Sequence, residues 1–167
     1  MKNIILIGMP TSGKTTIGIQ LSAAIGYGYI DSDSVIVARS GHNLRELIAD
    51  LGNEAYLDLE AKVNAEIMAS RCVIATGGSA VYRENGMTHL KNNGIVVYLK
   101  MSYEEMSRRL GDLVARGVVL KDGFTLMDMY KERLPLYERY ADITVEVDGK
   151  EISQTVQAVK EALEKWM

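Results

Sequence analysis

The sequence lacks features that several protein classes require. It has one cysteine in 167 residues, which excludes an internal disulfide and a cysteine-based metal site. Lysine and arginine never exceed two in a row and the net charge is −3, so we expect no nucleic-acid partner. No apolar run approaches the roughly 20 residues of a membrane span, so we expect no membrane partner. We therefore predict a cytoplasmic, monomeric protein with one domain, residues 1–167.

The first fifteen residues carry the strongest motif. Residues 4–7 form an apolar run typical of a strand buried on both faces, and a helical pattern begins at Thr16. Between them the spacing G-x-x-x-x-G-K-[ST] predicts a phosphate-binding loop. The predicted nucleotide-binding residues are Gly8, Met9, Pro10, Thr11, Ser12, Gly13, Lys14, Thr15 and Thr16. We expect Lys14 to face solvent and the phosphates, and Thr15 to bind Mg²⁺.

Two aspartates follow the second predicted strand. That strand, at residues 29–30, leads directly into Asp31 and Asp33. Ligands bind at the carboxyl ends of strands in open α/β sheets, which favours a site role for at least one aspartate. The alternative is that Ser32 or Asp33 only caps a helix starting near Val35.

A third buried strand is predicted at residues 73–75, followed by a loop of small residues. In this loop Gly77 and Gly78 allow a substrate to approach the backbone closely. A plain turn explains the two glycines equally well.

Alternating strands and helices predict an α/β fold, a parallel sheet with helices on both faces. Helical spacing predicts helices at residues 52–70 and 124–140, the second interrupted at Pro135, and alternation at 143–147 predicts an edge strand. We interpret residues 32–60 as a substrate flap. Residues 111–123 are interpreted as a lid that excludes water, the alternative being an ordinary surface loop.

Several separated stretches resemble shikimate kinase, in order and near its spacing, over nearly the whole chain. They are GMPTSGKTT, DSD, GNEAYLDLE, ATGGSAV, YLKMSYEEMSRRL, Arg116 and RLPLYERYAD. The resemblance implies a three-layer P-loop kinase fold, similar to nucleoside monophosphate kinases, with a five-stranded parallel sheet in order 2-3-1-4-5. It also implies transfer of the γ-phosphate of ATP to a hydroxyl of shikimate, with Mg²⁺, in aromatic amino acid biosynthesis.

The resemblance implies roles on the nucleotide side of the site. Lys14 and Arg116 contact the phosphates, and Arg109 lies near the adenine. Thr15 and Asp31 hold the magnesium ion. Apart from the resemblance, the favoured interpretation of each arginine is a solvated helix residue, and the resemblance reverses it for Arg116 and Arg133.

On the substrate side, the resemblance implies that Asp33 bonds the substrate hydroxyls and draws off the attacking proton. Lys14, Asp33 and Arg116 are thus the expected catalytic residues. Gly77, Gly78 and Ser79 lie beside the substrate, and Arg133 pairs with its carboxylate.

Three segments depart from the family pattern. Leu57 stands where the segment G-E-x-x-F-R-x-x-E carries a second arginine that grips the substrate carboxylate. Ser79 replaces the third glycine of the substrate loop, and Arg116-Gly117-Val118-Val119 replaces Arg-Pro-Leu-Leu. The residues for phosphoryl transfer are therefore retained, while the residues that recognise the acid are altered.

These departures leave two alternatives to shikimate phosphorylation. The first is the same chemistry on another small hydroxylated compound, one without a carboxylate near Leu57. The second is a nucleotide-binding module without kinase activity, against which Asp33 and Arg133 argue. Arg45 or Arg83 are candidates to replace the missing arginine, but spacing alone does not place them.

Overall fold

The computed structural model describes residues 2–111, 118 and 120–167. The strands are β1 (Asn3–Ile7), β2 (Gly28–Asp31), β3 (Cys72–Ala75), β4 (Gly94–Lys100) and β5 (Ile143–Glu146). The helices before β3 are α1 (Lys14–Ile25), α2 (Ser32–Ser40), α3 (Leu44–Leu51) and α4 (Asn53–Ala65). Those after β3 are α5 (Glu84–Asn92), α6 (Tyr103–Leu110), α7 (Leu126–Tyr140) and α8 (Ile152–Leu163). A 3₁₀ turn, Ala80–Tyr82, precedes α5.

The strands form one parallel sheet, as the sequence pattern predicts, and their order β2-β3-β1-β4-β5 is the one that the resemblance implies. In its centre Ile5 lies between Ile74 and Val96. All five residues of β1 are buried because helices cover both faces of the sheet. At the edge, β5 alternates buried and exposed residues, which confirms the predicted edge strand.

Helices α2, α3 and α4 lie between β2 and β3 and have an apolar core of their own. We call it the flap cluster; it consists of Ile36, Leu47, Tyr56, Leu57 and Val63. This core is separate from the one around the sheet, and α2 begins directly after β2, so the three helices pack against one another near the carboxyl end of β2.

Three local predictions are wrong. Helix α2 begins at Ser32 and is capped by Asp31, whose carboxylate accepts from the Ser34 N–H at 3.1 Å, so neither Ser32 nor Asp33 caps a helix near Val35. Helix α4 ends at Ala65, not near Ser70, because the chain turns there toward β3 and leaves Met68 87% exposed. Helix α7 is continuous through Pro135, because buried residues on both sides of the proline, Arg133 and Tyr137, fix it to the core.

Much of the predicted lid, including Arg116, lies outside the described residues. In the described part of the chain, none of the helices combines the length and the apolar character needed to cross a bilayer.

Candidate active site

A cavity of about 270 Å³ opens at the carboxyl edge of the sheet. Its walls come from the phosphate loop after β1, from the start of α2, from the loop after β3, and from α4 and α7. Parallel strands bring these segments together because their carboxyl ends share one edge. The cavity therefore unites stretches that lie more than a hundred residues apart in sequence, from Pro10 to Arg133.

The phosphate loop wraps around the ammonium group of Lys14. Its Nζ donates to the carbonyl oxygens of Gly8 at 2.8 Å and Met9 at 2.9 Å. Gly13 has φ +94°, which favours glycine, and a Cβ at Gly8 would lie 2.7 Å from the carbonyl oxygen of Leu99. Both motif glycines are thus required by the local geometry.

The expectation that Lys14 faces solvent is wrong. Its side chain lines the cavity, but the residue is only 8% exposed. Burial lowers the pKa of Lys14 to about 8, although the negative charge of Asp33 opposes this change. The ammonium therefore acts from within a desolvated loop, where its charge is less screened than in water.

Thr15 and Asp31 are in contact at the edge of the cavity. The Thr15 hydroxyl donates to Asp31 Oδ2 at 3.2 Å, and the carboxylate is oriented by its cap on α2. A hydroxyl and a carboxylate are hard oxygen donors of the kind that Mg²⁺ accepts. The two residues fit the metal role expected from the sequence.

Asp33 lies in the first turn of α2 and faces the cavity. Its Oδ1 is buried and has no hydrogen-bond partner among the described residues. Burial and, to a smaller extent, the charge of Asp31 raise the pKa of Asp33, while Lys14 lowers it, and the net pKa is about 6. Because of its raised pKa, this carboxylate is more basic than an ordinary aspartate. Its unpaired oxygen can therefore accept a proton from a hydroxyl group in the cavity.

The loop after β3 passes close to two carboxylates. A Cβ at Gly77 would lie 2.7 Å from Asp33 Oδ1 and also 2.7 Å from Glu60 Oε2. Position 77 therefore requires glycine because the two carboxylates lie close to the backbone, and not only because the chain turns there. At Gly78, a Cβ would lie 3.0 Å from Arg133 Nη1 and 3.1 Å from Pro10.

Arg133 is fully inside the wall of the cavity, at 1% exposure. Its guanidinium lies over the Tyr82 ring, 5.2 Å from the centroid, and Nε donates to the Tyr82 hydroxyl at 3.3 Å. Tyr137, one turn along α7, donates to the carbonyl of Gly78 at 2.6 Å. These contacts hold α7 and the loop after β3 together around a fixed cation.

Sequence analysis missed Glu60, which is 1% exposed and lines the cavity. Ser79 donates to Glu60 Oε1 at 2.7 Å, and burial raises the pKa of Glu60 to about 7. The available signal was a glutamate four residues after Tyr56 on one helix face, in the GNEAYLDLE stretch.

Leu57 lies in the flap cluster at 3% exposure and is not part of the cavity wall. Neither candidate replacement arginine lines the cavity. Arg45 is exposed on α3, and Arg83 pairs with Glu54 at 2.5 Å and Asp58 at 2.9 Å. Among the described lining residues, the cations are Lys14 and Arg133.

Arg109 reaches the outer side of the phosphate loop. Its Nη1 donates to the carbonyl of Thr11 at 3.1 Å, and Nε donates to Glu105 at 2.6 Å. Of the other predicted loop residues, Met9 and Ser12 are buried beneath the loop and Thr16 is exposed at the start of α1.

The family model, the curated relatives named below and the structure named below are all shikimate kinases. The family model described as shikimate kinase matches residues 10–164. The shikimate kinase of Moorella thermoacetica is 33% identical, covering 99% of this chain and 96% of that protein. The shikimate kinase of Paracidovorax citrulli is 37% identical, covering 97% of this chain and 92% of that protein. The structure of the Acinetobacter baumannii shikimate kinase in complex with shikimate superposes with a TM-score of 0.89, at 28% identity, covering 99% of this chain and 94% of that one.

Proposed function

The chain belongs to the shikimate kinase family, and from this premise we propose that it transfers the γ-phosphate of ATP to a hydroxyl of shikimate. Enzymes of this family are phosphotransferases with an alcohol acceptor and use ATP and Mg²⁺. One observation carries the proposal for this chain. A single cavity has the Lys14 phosphate loop on one wall, with Asp33 and Arg133 facing it on the others.

On the donor side, the chain supplies positive charge and oriented amides. Lys14 is mainly protonated at neutral pH, because its pKa of about 8 lies above it. Its ammonium and the N–H groups of the loop neutralise charge on the transferring phosphoryl group. Thr15 and Asp31 would hold Mg²⁺, which supplies further charge neutralisation between the phosphates. Arg109 and Arg116 are proposed to complete the nucleotide contacts.

On the acceptor side, Asp33 orients the attacking hydroxyl through its unpaired Oδ1. With a pKa of about 6, the carboxylate is mainly ionised at neutral pH and accepts the hydroxyl proton more readily than an ordinary aspartate. Gly77, Gly78 and Ser79 let the substrate ring approach the backbone. Arg133 pairs with the substrate carboxylate, and its contacts with Tyr82 fix its direction before binding.

The test is a coupled ADP-release assay with and without shikimate. We expect ADP release that depends on shikimate and Mg²⁺. Asp33→Asn should lower kcat by about 10²-fold with near-normal ATP affinity, because Asp33 acts on the acceptor. If ATP affinity collapses while kcat persists, Asp33 belongs to the magnesium site instead.

A second candidate acceptor is a hydroxylated compound without the carboxylate. The observation that favours it is Leu57, which packs into the flap cluster, while Arg83 is engaged with Glu54 and Asp58. Comparing kcat/KM for shikimate and for its neutral methyl ester separates the two candidates. A strong preference for shikimate supports the first; no preference, with efficient use of a neutral polyol, supports the second.

The remaining expectations belong to the same proposal. We propose a cytoplasmic monomer of one domain, with residues 32–60 as the substrate flap and 111–123 as the lid, and with no nucleic-acid or membrane partner. The net charge of −3 supports the absence of a nucleic-acid partner. Light scattering after size exclusion tests the monomer, for which we expect the mass of one 18.5 kDa chain.

A further inference from the structure

Two departures from the family pattern lie close to Glu60, which lines the cavity. Leu57 removes an arginine from α4, three residues before Glu60, where side chains share a helix face. Ser79 adds a hydroxyl where the family has glycine, and this hydroxyl donates to Glu60 Oε1 at 2.7 Å. Glu60 therefore has a serine partner from the loop after β3 in a site that lacks the α4 arginine.

The second oxygen of Glu60 lies beside the loop after β3, close to Gly77. Oε2 is buried, has no hydrogen-bond partner among the described residues, and lies 2.7 Å from a Cβ built on Gly77. Asp33 Oδ1 is also buried without a hydrogen-bond partner among the described residues, and it lies 2.7 Å from the same Cβ position on Gly77. The two unpaired oxygens are therefore at most 5.4 Å apart, twice that distance. Adjacent hydroxyls on one ring can donate to both.

A purely structural link between α4 and the loop does not account for this arrangement. Burying a carboxylate is unfavourable unless its oxygens are hydrogen-bonded, and here one of the two is left without a described partner beside the cavity. A neutral side chain would join the two segments without that cost. The pair is better explained by a ligand that supplies the missing donor.

We propose that Ser79 is a positioning residue that holds Glu60 as a second hydroxyl acceptor beside Asp33. The site then recognises two neighbouring hydroxyls of its substrate, and this recognition compensates in part for the arginine missing at Leu57. The inference rests on the proposed function and specifies its substrate class as a compound with adjacent hydroxyls.

The groups facing Glu60 set its charge state. Asp33 from α2 raises its pKa, whereas Arg133 from α7, Lys14 from α1 and the hydrogen bond from Ser79 lower it. Burial raises the pKa of Tyr56, a neighbour on α4, and the charge of Glu60 adds to this change. Without the Ser79 hydroxyl, Glu60 should become ionised only at higher pH, and its acceptor oxygen would lose its fixed direction.

The experiment compares Ser79→Ala, Ser79→Thr and Glu60→Gln, each alone, and Ser79→Ala combined with Glu60→Gln. Ser79→Ala should raise KM for shikimate about tenfold, leave KM for ATP nearly unchanged, and move the acid limb of kcat/KM to higher pH. Ser79→Thr, which keeps the hydroxyl, should restore both values toward wild type. Ser22→Ala is the matched control, because it removes another buried serine hydroxyl away from the cavity, and should change neither.

The combined variant shows whether Ser79 acts through Glu60. When Glu60→Gln is already in place, adding Ser79→Ala should move the acid limb no further and raise KM by much less than tenfold. Additive effects, or an acid limb unmoved by Ser79→Ala alone, would overturn the proposal. A shikimate analogue without the hydroxyl next to the phosphorylated one should be equally poor for wild type and Ser79→Ala.

Failure of the proposed function gives a different result. In that case neither the wild-type protein nor any of the Ser79 variants releases ADP with shikimate. The link between Ser79 and Glu60 is then decided by urea unfolding across pH, which needs no substrate. In these measurements Ser79→Ala should shift the plot of unfolding free energy against pH to higher pH. An unshifted plot would refute the link between Ser79 and Glu60.

Discussion

Replacing Glu60 by glutamine should change how the stability of the protein depends on pH. Glu60 is 1% exposed, and burial raises the pKa of its carboxyl group from 4.5 to about 7. Glutamine has nearly the same shape and can still accept from Ser79 Oγ, but it does not titrate. The substitution therefore removes the titration of this group while keeping its packing.

The sign and size of the effect follow from linkage. Between pH 4.5 and about 7 the native protein holds the Glu60 proton more tightly than the unfolded chain does. Wild-type stability is therefore lost as the pH rises through this window and levels off above it. At about 1.4 kcal/mol per pKa unit, the shift from 4.5 to about 7 corresponds to about 3 kcal/mol.

The measurement is the free energy of unfolding in urea, for both proteins, from about pH 4.5 to about pH 8. The difference between Glu60→Gln and wild type should move by about 3 kcal/mol in favour of the variant across this range. In thermal unfolding the same change is about 6 to 12 °C for a chain of this size. Glu164→Gln, at an exposed position immediately after α8, is the control and should show no such trend.

A difference that stays constant from acid to alkaline pH would refute the reasoning. It would mean that Glu60 titrates as it does in the unfolded chain, so that water or a counter-charge compensates its burial. A difference of the opposite sign would mean that Arg133 and Lys14 dominate over desolvation.

Three further predictions test the rest of the site. Lys14→Met should abolish shikimate-dependent ADP release while the far-UV circular dichroism spectrum stays native; normal activity in the folded variant would contradict the assignment. Gly77→Ala should lower kcat/KM by at least about tenfold, because its Cβ would meet Asp33 and Glu60 at 2.7 Å; unchanged kinetics would show that both carboxylates move away freely. Leu57→Arg should cost about 2 kcal/mol in urea unfolding through lost apolar burial, yet lower KM for shikimate with little change in kcat. If KM stays the same, Leu57 does not mark a lost carboxylate contact.

The sequence predicts the fold well because its signals are local. The apolar run of β1, the glycines of the phosphate loop and the alternation of β5 each reflect forces among neighbouring residues. Their alternation with helices then leaves few topologies for a parallel sheet. The order β2-β3-β1-β4-β5 came from the resemblance and is confirmed by the structure.

The errors arise where tertiary contacts override local preference. Apolar spacing carries a helical pattern past residue 65, but the chain turns there to enter β3. Pro135 lacks an N–H and is expected to break a helix, yet α7 continues through it, because the buried side chains of Arg133 and Tyr137 fix the helix to the core on both sides. Lys14 is found in the right motif, but its burial depends on how tightly the loop closes over it.

The sequence alone determined the phosphate loop, the α/β class and the position of Asp33, because each depends on residues close together in the chain. Only the tertiary structure decided that Leu57 turns into the flap cluster and that Ser79 meets Glu60, 19 residues away. A hydrogen bond between distant segments is set by the packing of whole helices against the sheet, to within fractions of an ångström. The pKa of Glu60 follows from the same packing, since desolvation depends on every element that closes over the carboxylate.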